Sequence, residues 1–564
     1  MNVDRWAATG SQILEAIGNL SQLVERQHSN CHCCSAQQYQ EAPSQRSALA
    51  EPFVSNLDDY RNRDVKSNSE KEVLIALGDS ANETQSLRLT QGLENVLRWR
   101  GMERFQTSRC LFADTEPPIV YTSTLPSTDY NQMSQLASNY VRGVHYYNPF
   151  LDLTELDYSI RHIAENGLDW TTRSCLVTLV CAIGAFTELY EDRHLSPANT
   201  STPGAPQRTL SIDDGHDVSL QFWTLASRRL GAAIGQNDLE AVQCLCLAGI
   251  WYMHQMEPLQ AWKYFNLAGA ASHGVRLTKE HALSPGSTNH SSNSFTTKQA
   301  LYFTIWKSQG EIENEIGVPP SILEDFGKPF PLPPVLPDEP GLAAHERAWY
   351  YYLADIAARH LTNRVTRLSS FRLENPTEQE VHRMVAHAEV IKAQLYDWHQ
   401  SLPPEFRFEL PRGYSVRPPE DDVIQILRFR YLVLIDLIGR PFVKLCVETP
   451  LNLEHHLRAR VLSLASECIR CSLLKLSTVA PHLHQGTWYM LRVMAMSAAI
   501  LTAVHLAKTN VWTPGAQDLE LPEGWRQCVI DAFEIVGPYW NSRRGGANNM
   551  RDVVQNMLDA TAPS

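Results

Sequence analysis

From about Leu136 onward the apolar residues of this chain recur with helical spacing, and no stretch sustains the alternation of a half-buried strand. A chain with that pattern has to bury its apolar stripes helix against helix. Leu153, Leu156, Ile160 and Ile163 share one face; Thr154-x-x-Asp157 spells a capping box before them and Asn166-Gly167 a stop after them. Residues 174–188 are apolar nearly all round and are expected at the centre. Asp217 and Asp238 predict N-caps for the next two helices, and Pro258 opens a third. Leu245, Gly249, Tyr252, Ala261, Phe265 and Ala268 keep the small/large offsets of a tetratricopeptide-type helix pair, in one copy, which predicts an αα-hairpin inside a larger body. Further helices are expected over about 342–371, 377–401, 420–446, 451–480, 485–508 and 523–540. The fold class is all-α: a large helical domain with αα-hairpin units, flanked by a disordered N-terminal region.

The flanking segments read differently. Over 1–27, Ile13, Ile17, Leu20 and Val24 follow a coiled-coil rhythm for two heptads, which predicts either a dimerising helix or a surface helix docked on the body. Residues 28–135 are variable and polar, with a helical patch near 87–100; the stretch 28–72 is expected to be disordered. The helical domain is expected over 136–540, with loops at 279–298 and at the Pro-rich 328–341, and 541–564 as a C-terminal tail. The apolar runs Cys175–Phe186 and Val493–Val504 are each 12 residues long, too short to span a bilayer, so no membrane association is expected and both predict buried core helices. The N-terminus has no secretory pattern, and the chain is expected to be soluble and intracellular.

Sixty-two acidic against 49 basic residues give a net charge of −13, and no basic run exceeds two residues. Wrapping duplex DNA needs Lys and Arg against the phosphates, so DNA contact by this chain is not expected. Twelve cysteines are too dilute for a disulfide scaffold, and Cys175, Cys181, Cys244 and Cys246 fall in apolar helices, where a thiol packs as a small hydrophobe.

Few residue sets suggest chemistry. Asp213-Asp214-Gly215-His216-Asp217 spells the DDxxD of class I terpene cyclases, where carboxylates hold Mg²⁺ on a diphosphate. Here it is expected in a loop before a helix, and the partner motif that begins at Asn237-Asp238-Leu239 has Ala241 and Leu245 where a hydroxyl and a carboxylate are needed. Cys31-His32-Cys33-Cys34 is too crowded to close a tetrahedral site, and Cys468-x-x-Cys471 has no second pair. His382 and His387 read as surface histidines. No nucleophile, base and orienting group assemble, so no catalytic, cofactor or metal residue is assigned and no cofactor is expected.

Taken in order, several segments resemble the fungal-specific transcription factor domain, the middle homology region of fungal binuclear zinc-cluster regulators. They are Tyr140–Asp152 (YVRGVHYYNPFLD), Ala164–Trp170, Ser174–Gly184, Ala261–Val275 and Tyr302–Trp306. Glu311, Glu315–Ser321 and Phe330–Pro333 are similar to the stretch that closes that domain, so the family-like core covers 140–337. Leu97-Arg98-Trp99 resembles a preceding "LRWP" element with Arg100 in place of proline, and Arg440-Pro441-Phe442 a late helix start. Read as residues, Trp170, Trp251, Trp262, Trp306 and Phe265 are core anchors, and Glu311 with Glu315 is a solvated helix face.

The resemblance implies a nuclear, non-enzymatic regulator of a pathway-specific gene set, working with the transcription machinery as a homo- or heterodimer. The family's DNA-binding module holds two zinc ions on six cysteines. Upstream of residue 110 this chain offers only Cys31, Cys33 and Cys34, so zinc and direct DNA contact are expected only through a module not visible here, and a partner-dependent co-regulator is the alternative. A terpene-cyclase-like enzyme is the disfavoured third reading.

Overall fold

The computed structural model of the protein describes residues 92–113, 124–194, 212–275, 292–318, 323, 342–368, 376–416, 421–479, 484–509, 514–542 and 544–562. The proposed dimerising residues Ile13, Ile17, Leu20 and Val24, the 28–72 segment, Cys31–Cys34 and the Pro-rich 328–341 lie outside them. Among the described residues there are helices and turns and no strand.

The first half is built around a helix that is apolar on every side, as its sequence requires. The short α1 (Leu93–Val96) is followed by α2 (Tyr130–Tyr140), a π-turn over Val141–His145, α3 (Leu153–Asn166), α4 (Thr172–His194), α5 (Ile212–Ser227), α6 (Leu230–Gly235), α7 (Leu239–His254), α8 (Pro258–Gly274) and α9 (Ser292–Ile316). α4 packs against α2, α3, α5 and α7, and Cys175, Val177 and Leu179–Ile183 are sealed inside it. α7 and α8 form the expected αα-hairpin. Asp238 caps α7 by accepting from Ala241 N at 2.8 Å, and Pro258 opens α8. A Cβ on Gly249 would stand 2.6 Å from the Phe265 ring, so the small/large pairing that marked this hairpin in the sequence is what lets the two helices meet. Trp251 of α7 stacks on Trp223 of α5 at 3.7 Å and donates its indole N–H to Ser219 Oγ.

The second half runs α10 (Leu342–Leu368), α11 (Glu378–Ser401), α12 (Asp422–Glu448), α13 (His455–Leu476), α14 (Thr487–Thr509), α15 (Trp525–Ile535), α16 (Gly537–Trp540) and α17 (Ala547–Ala560). α11 begins with a complete capping box between Thr377 and Glu380. α12 and α13 pack along their length. A Cβ on Gly439 would fall 2.7 Å from Leu464 O and from Cys468 Cβ, so only glycine allows this approach. α14 is long and apolar enough to cross a membrane, yet 89% of its most apolar stretch is buried against α1, α7, α12, α13 and α17. It is a central helix, and Val493–Val504 lies inside it as expected.

Several expectations are corrected. The packed body does not begin at 136. Leu93, Val96, Leu97, Trp99 and Met102 are buried, because α1 docks on α14. Residues 541–564 are not a tail throughout: α17 buries Met550, Val553, Val554 and Met557 against α14. Helix α3 is capped by Asp152, which accepts from Thr154 N at 2.9 Å and Glu155 N at 3.2 Å; the Thr154-x-x-Asp157 box is not used, and Asp157 pairs with Tyr130 and Arg161. α5 starts at Ile212, so Asp217 is an exposed residue inside the helix and not its cap. α9 starts at Ser292, inside the expected 279–298 loop. Pro441 sits within α12 and does not open a helix. Trp170 is 69% exposed. It follows the helix stop at Gly167 (φ 82°) and lies under the Arg229 guanidinium, 5.0 Å away, instead of entering the core.

Candidate functional site: a neutral cavity between the two halves

A cavity of about 320 Å³ opens between α7, α8 and α9 on one side and α10, α12 and the start of α14 on the other. Its position follows from the sequence of packing: the α7–α8 hairpin and α12 each satisfy their apolar faces elsewhere, and their remaining faces meet across a gap.

The floor is ionic. Glu311 and Glu315, expected on a solvated face, both meet guanidiniums carried by helices more than a hundred residues later. Lys307 Nζ lies 2.9 Å from Asp355 Oδ2, Arg430 Nε lies 3.0 Å from Asp355 Oδ1, and Arg430 also pairs with Glu311. Asp355 is 3% exposed. Burial alone would push its carboxyl up, but Lys307 and Arg430 outweigh this and hold it at about 2. The remaining charges on the lining are Arg142 and Asp422, so three cations (Arg142, Lys307, Arg430) face three carboxylates (Glu311, Asp355, Asp422).

The wall carries two histidines that sequence reasoning missed. His254 Nδ1 lies 3.0 Å from Ile250 O, its own helix one turn back, and the ring stacks on Phe186 at 5.5 Å. A carbonyl only accepts, so Nδ1 carries the proton and Nε2 is left as an acceptor. Burial lowers the pKa of His254 to about 4. His484, across the cavity, is lowered to about 4 by burial and then by His254. A lone histidine ending an apolar helix gives no local signal of this, because its neutrality comes from burial, which the packing of distant segments decides. Both rings are uncharged near neutral pH.

A pH dependence follows. As pH falls, each histidine charges first in the unfolded chain, at about 6.5, and only near 4 in the folded one, so stability is lost between those values and levels off below. For His254 the loss approaches about 3 kcal/mol. Asp355 acts in a separate window, since its depressed pKa contributes stability above about 4 that is lost toward 2. Urea midpoints measured from pH 7 to 4.5 should fall less steeply for His254→Phe than for the native protein; equal slopes would mean that His254 is not a buried neutral base.

The other sequence candidates do not gather at this site. α5 carries the DDxxD spelling on a helix from its first turn, contrary to the expected loop, but Asp217 points to solvent and Ala241 and Leu245 of the defective partner motif are sealed in the core. Cys468 and Cys471 are buried free thiols, and Cys468 Sγ donates to Asp436 Oδ1 at 3.0 Å. Burial pushes both thiols up, which suits packing and not metal ligation. Among the described residues no three His, Cys, Asp or Glu side chains converge on a metal position. The two-zinc cluster of the resembled family is not fitted by this donor set. His382 and His387 lie on α11, away from the cavity.

No family model and no solved structure matches the chain. Among curated proteins it is similar to the uncharacterised transcriptional regulatory protein C530.08 of Schizosaccharomyces pombe, 21% identical over 287 residues. The match covers 50% of this chain and 31% of that protein, so the chain spans about a third of the length of the relative it matches.

Proposed function

We propose that this chain is the regulatory helical body of a transcription regulator of the fungal zinc-cluster type, acting in the nucleus on a pathway-specific gene set. The similarity over half its length to a protein named as a transcriptional regulator carries the reading. The ordered segments over 140–337 support the finer family, and the residues they contribute serve as packing: Trp251, Phe265 and Trp306 are all buried, and each holds neighbouring helices together. A body of this kind can act by presenting surfaces and does not need an active site. Cys31, Cys33 and Cys34 do not have the spacing of a six-cysteine cluster, so in this reading DNA is reached through a module not visible here or through a cluster-bearing partner held by Ile13, Ile17, Leu20 and Val24.

The test tethers the full 564-residue chain to an unrelated DNA-binding module upstream of a reporter. A changed reporter output is expected, while the untethered chain in a gel shift should show no sequence-dependent nanomolar binding at about 150 mM salt, where non-specific affinity is micromolar or weaker. An inert tethered chain that instead turns over prenyl diphosphates with Mg²⁺ would replace the regulator by the cyclase.

A further inference from the structure

The cavity between α7–α9 and α10–α12 is large enough for a small molecule, at the lower end of the sizes such sites take. Its chemistry narrows what can enter. The six charged side chains on its lining cancel, three against three, and those of the floor are engaged with one another: Lys307 and Arg430 on Asp355, and Arg430 again on Glu311. Over this floor an incoming ion would lose its hydration and find each charge already engaged with a counter-charge, so a charged ligand is penalised there. Phe265, Phe429 and Tyr489 supply aromatic walls. Nε2 of His254 is offered as an acceptor without a protein partner, because Nδ1–H is spent on Ile250 O, and the buried Oδ1 of Asn148 on the same lining is a second unpartnered acceptor. In that tautomer Nε2 accepts a hydrogen bond and cannot give one.

We propose that this cavity binds a small uncharged molecule carrying an aromatic ring and one O–H or N–H donor, the ring lying among Phe265, Phe429 and Tyr489 and the donor bonding to Nε2 of His254. A lipid tail would leave Nε2 unsatisfied, and a nucleotide or a carboxylic acid would bring charge to a neutral site. The cavity touches both halves of the body, so a molecule bound there joins α7 to α12 directly. Binding itself stands independently of the regulator reading; only its consequence for transcription rests on that reading.

The experiment titrates the purified full chain with three probes of one shape: 2-naphthol, 2-methoxynaphthalene and 2-naphthoate, followed by probe fluorescence and by calorimetry. For eleven ring and oxygen atoms a Kd below about 100 μM is expected for 2-naphthol, from ordinary ligand efficiencies. The methoxy compound, which lacks the donor, should bind about fivefold more weakly, and the carboxylate at least about tenfold more weakly. His254→Phe should bring 2-naphthol down to the methoxy compound's affinity. Filling the cavity by Met253→Trp, or by Ser308→Trp where the first fails to fold, should abolish binding of all three. The proposal is overturned by 2-naphthoate binding as tightly as 2-naphthol, by saturable binding that survives the filled cavity, or by no saturable binding of 2-naphthol up to about 1 mM, ten times the expected Kd. A failed reporter test with intact 2-naphthol binding would remove the regulator and keep the site; the reverse result would do the opposite.

Discussion

Asp436→Ala should cost about 3–5 kcal/mol, enough to leave the chain largely insoluble or melting far below the native protein. Asp436 is 1% exposed on α12, one turn before Pro441. It takes Arg440 Nη2 at 2.5 Å and Lys475 Nζ of α13 at 2.9 Å, and accepts from Cys468 Sγ at 3.0 Å. Burial raises its pKa, but the two cations overcome that and keep the carboxyl well below the ordinary range. The cost of removal comes mainly from what remains: Arg440 and Lys475, 7% and 1% exposed, would be two buried cations with their shared counter-charge gone. A triple variant, Asp436→Leu with Arg440→Met and Lys475→Met, separates the causes. It should recover much of the loss, because no buried charge is left unpaired. A triple variant as unstable as Asp436→Ala would assign the cost to packing, not to charge. Thermal melts and the soluble fraction on expression read both.

Local patterns carried the helices; they did not carry what lies between them. α7 was legible because Asp238, an unbroken apolar run and the Gly249–Phe265 pairing all act within thirty residues. Capping of α3 was misread for a reason equally local: Asp152 and Thr154 can each start a helix, and the chain uses the earlier one because its carboxylate reaches two free amides at once. Pro441 misled in the other direction. The resemblance of Arg440-Pro441-Phe442 to a family element implied a helix start, yet in α12 Pro441 removes the N–H that Leu437 O would have taken, and the helix is held on by the surrounding α13 contact.

The ionic partners were out of reach of any window. Glu311 and Glu315 lie four apart on α9, which by itself describes a solvated face. Arg430 and Arg492, which turn that face inward, come from α12 and α14. The same distance hides the cavity: Lys307, Asp355 and Arg430 are unremarkable charges in sequence, and only their meeting makes a closed neutral floor. His254 drew no reading from sequence, and the structure shows what it does at the end of α7, with its proton held by the helix and its other nitrogen open to the gap.

Arg492→Met should have the second large effect, and it should release a particular piece of chain. Arg492 is fully buried in α14. Its guanidinium makes a two-pronged contact with Glu94 of α1, at 2.9 and 2.7 Å, and a third with Glu315 at the end of α9, at 2.8 Å. It also donates to the carbonyls of Glu315 and Leu111 at 3.2 and 3.4 Å. One side chain therefore fastens the 92–113 segment and α9 to the central helix. Methionine fills the volume but takes from Glu94 and Glu315 the buried cation they share, for an expected loss of about 3–5 kcal/mol. Glu94 feels this most: burial raises its pKa, and the neighbouring Arg492 is the largest influence holding it below the ordinary value. Arg492→Lys keeps the charge but offers a point where Glu94 requires a fork, so it should fall between the native protein and Arg492→Met. In the methionine variant, trypsin should cut first at Arg98, Arg100, Arg104 and Arg109, because the segment that buries Trp99 has lost its tie to α14. An unchanged melting temperature together with an unchanged order of cleavage would show that the apolar contacts of Leu93, Val96 and Trp99 hold the segment by themselves, and that Arg492 only satisfies charges the fold had already buried.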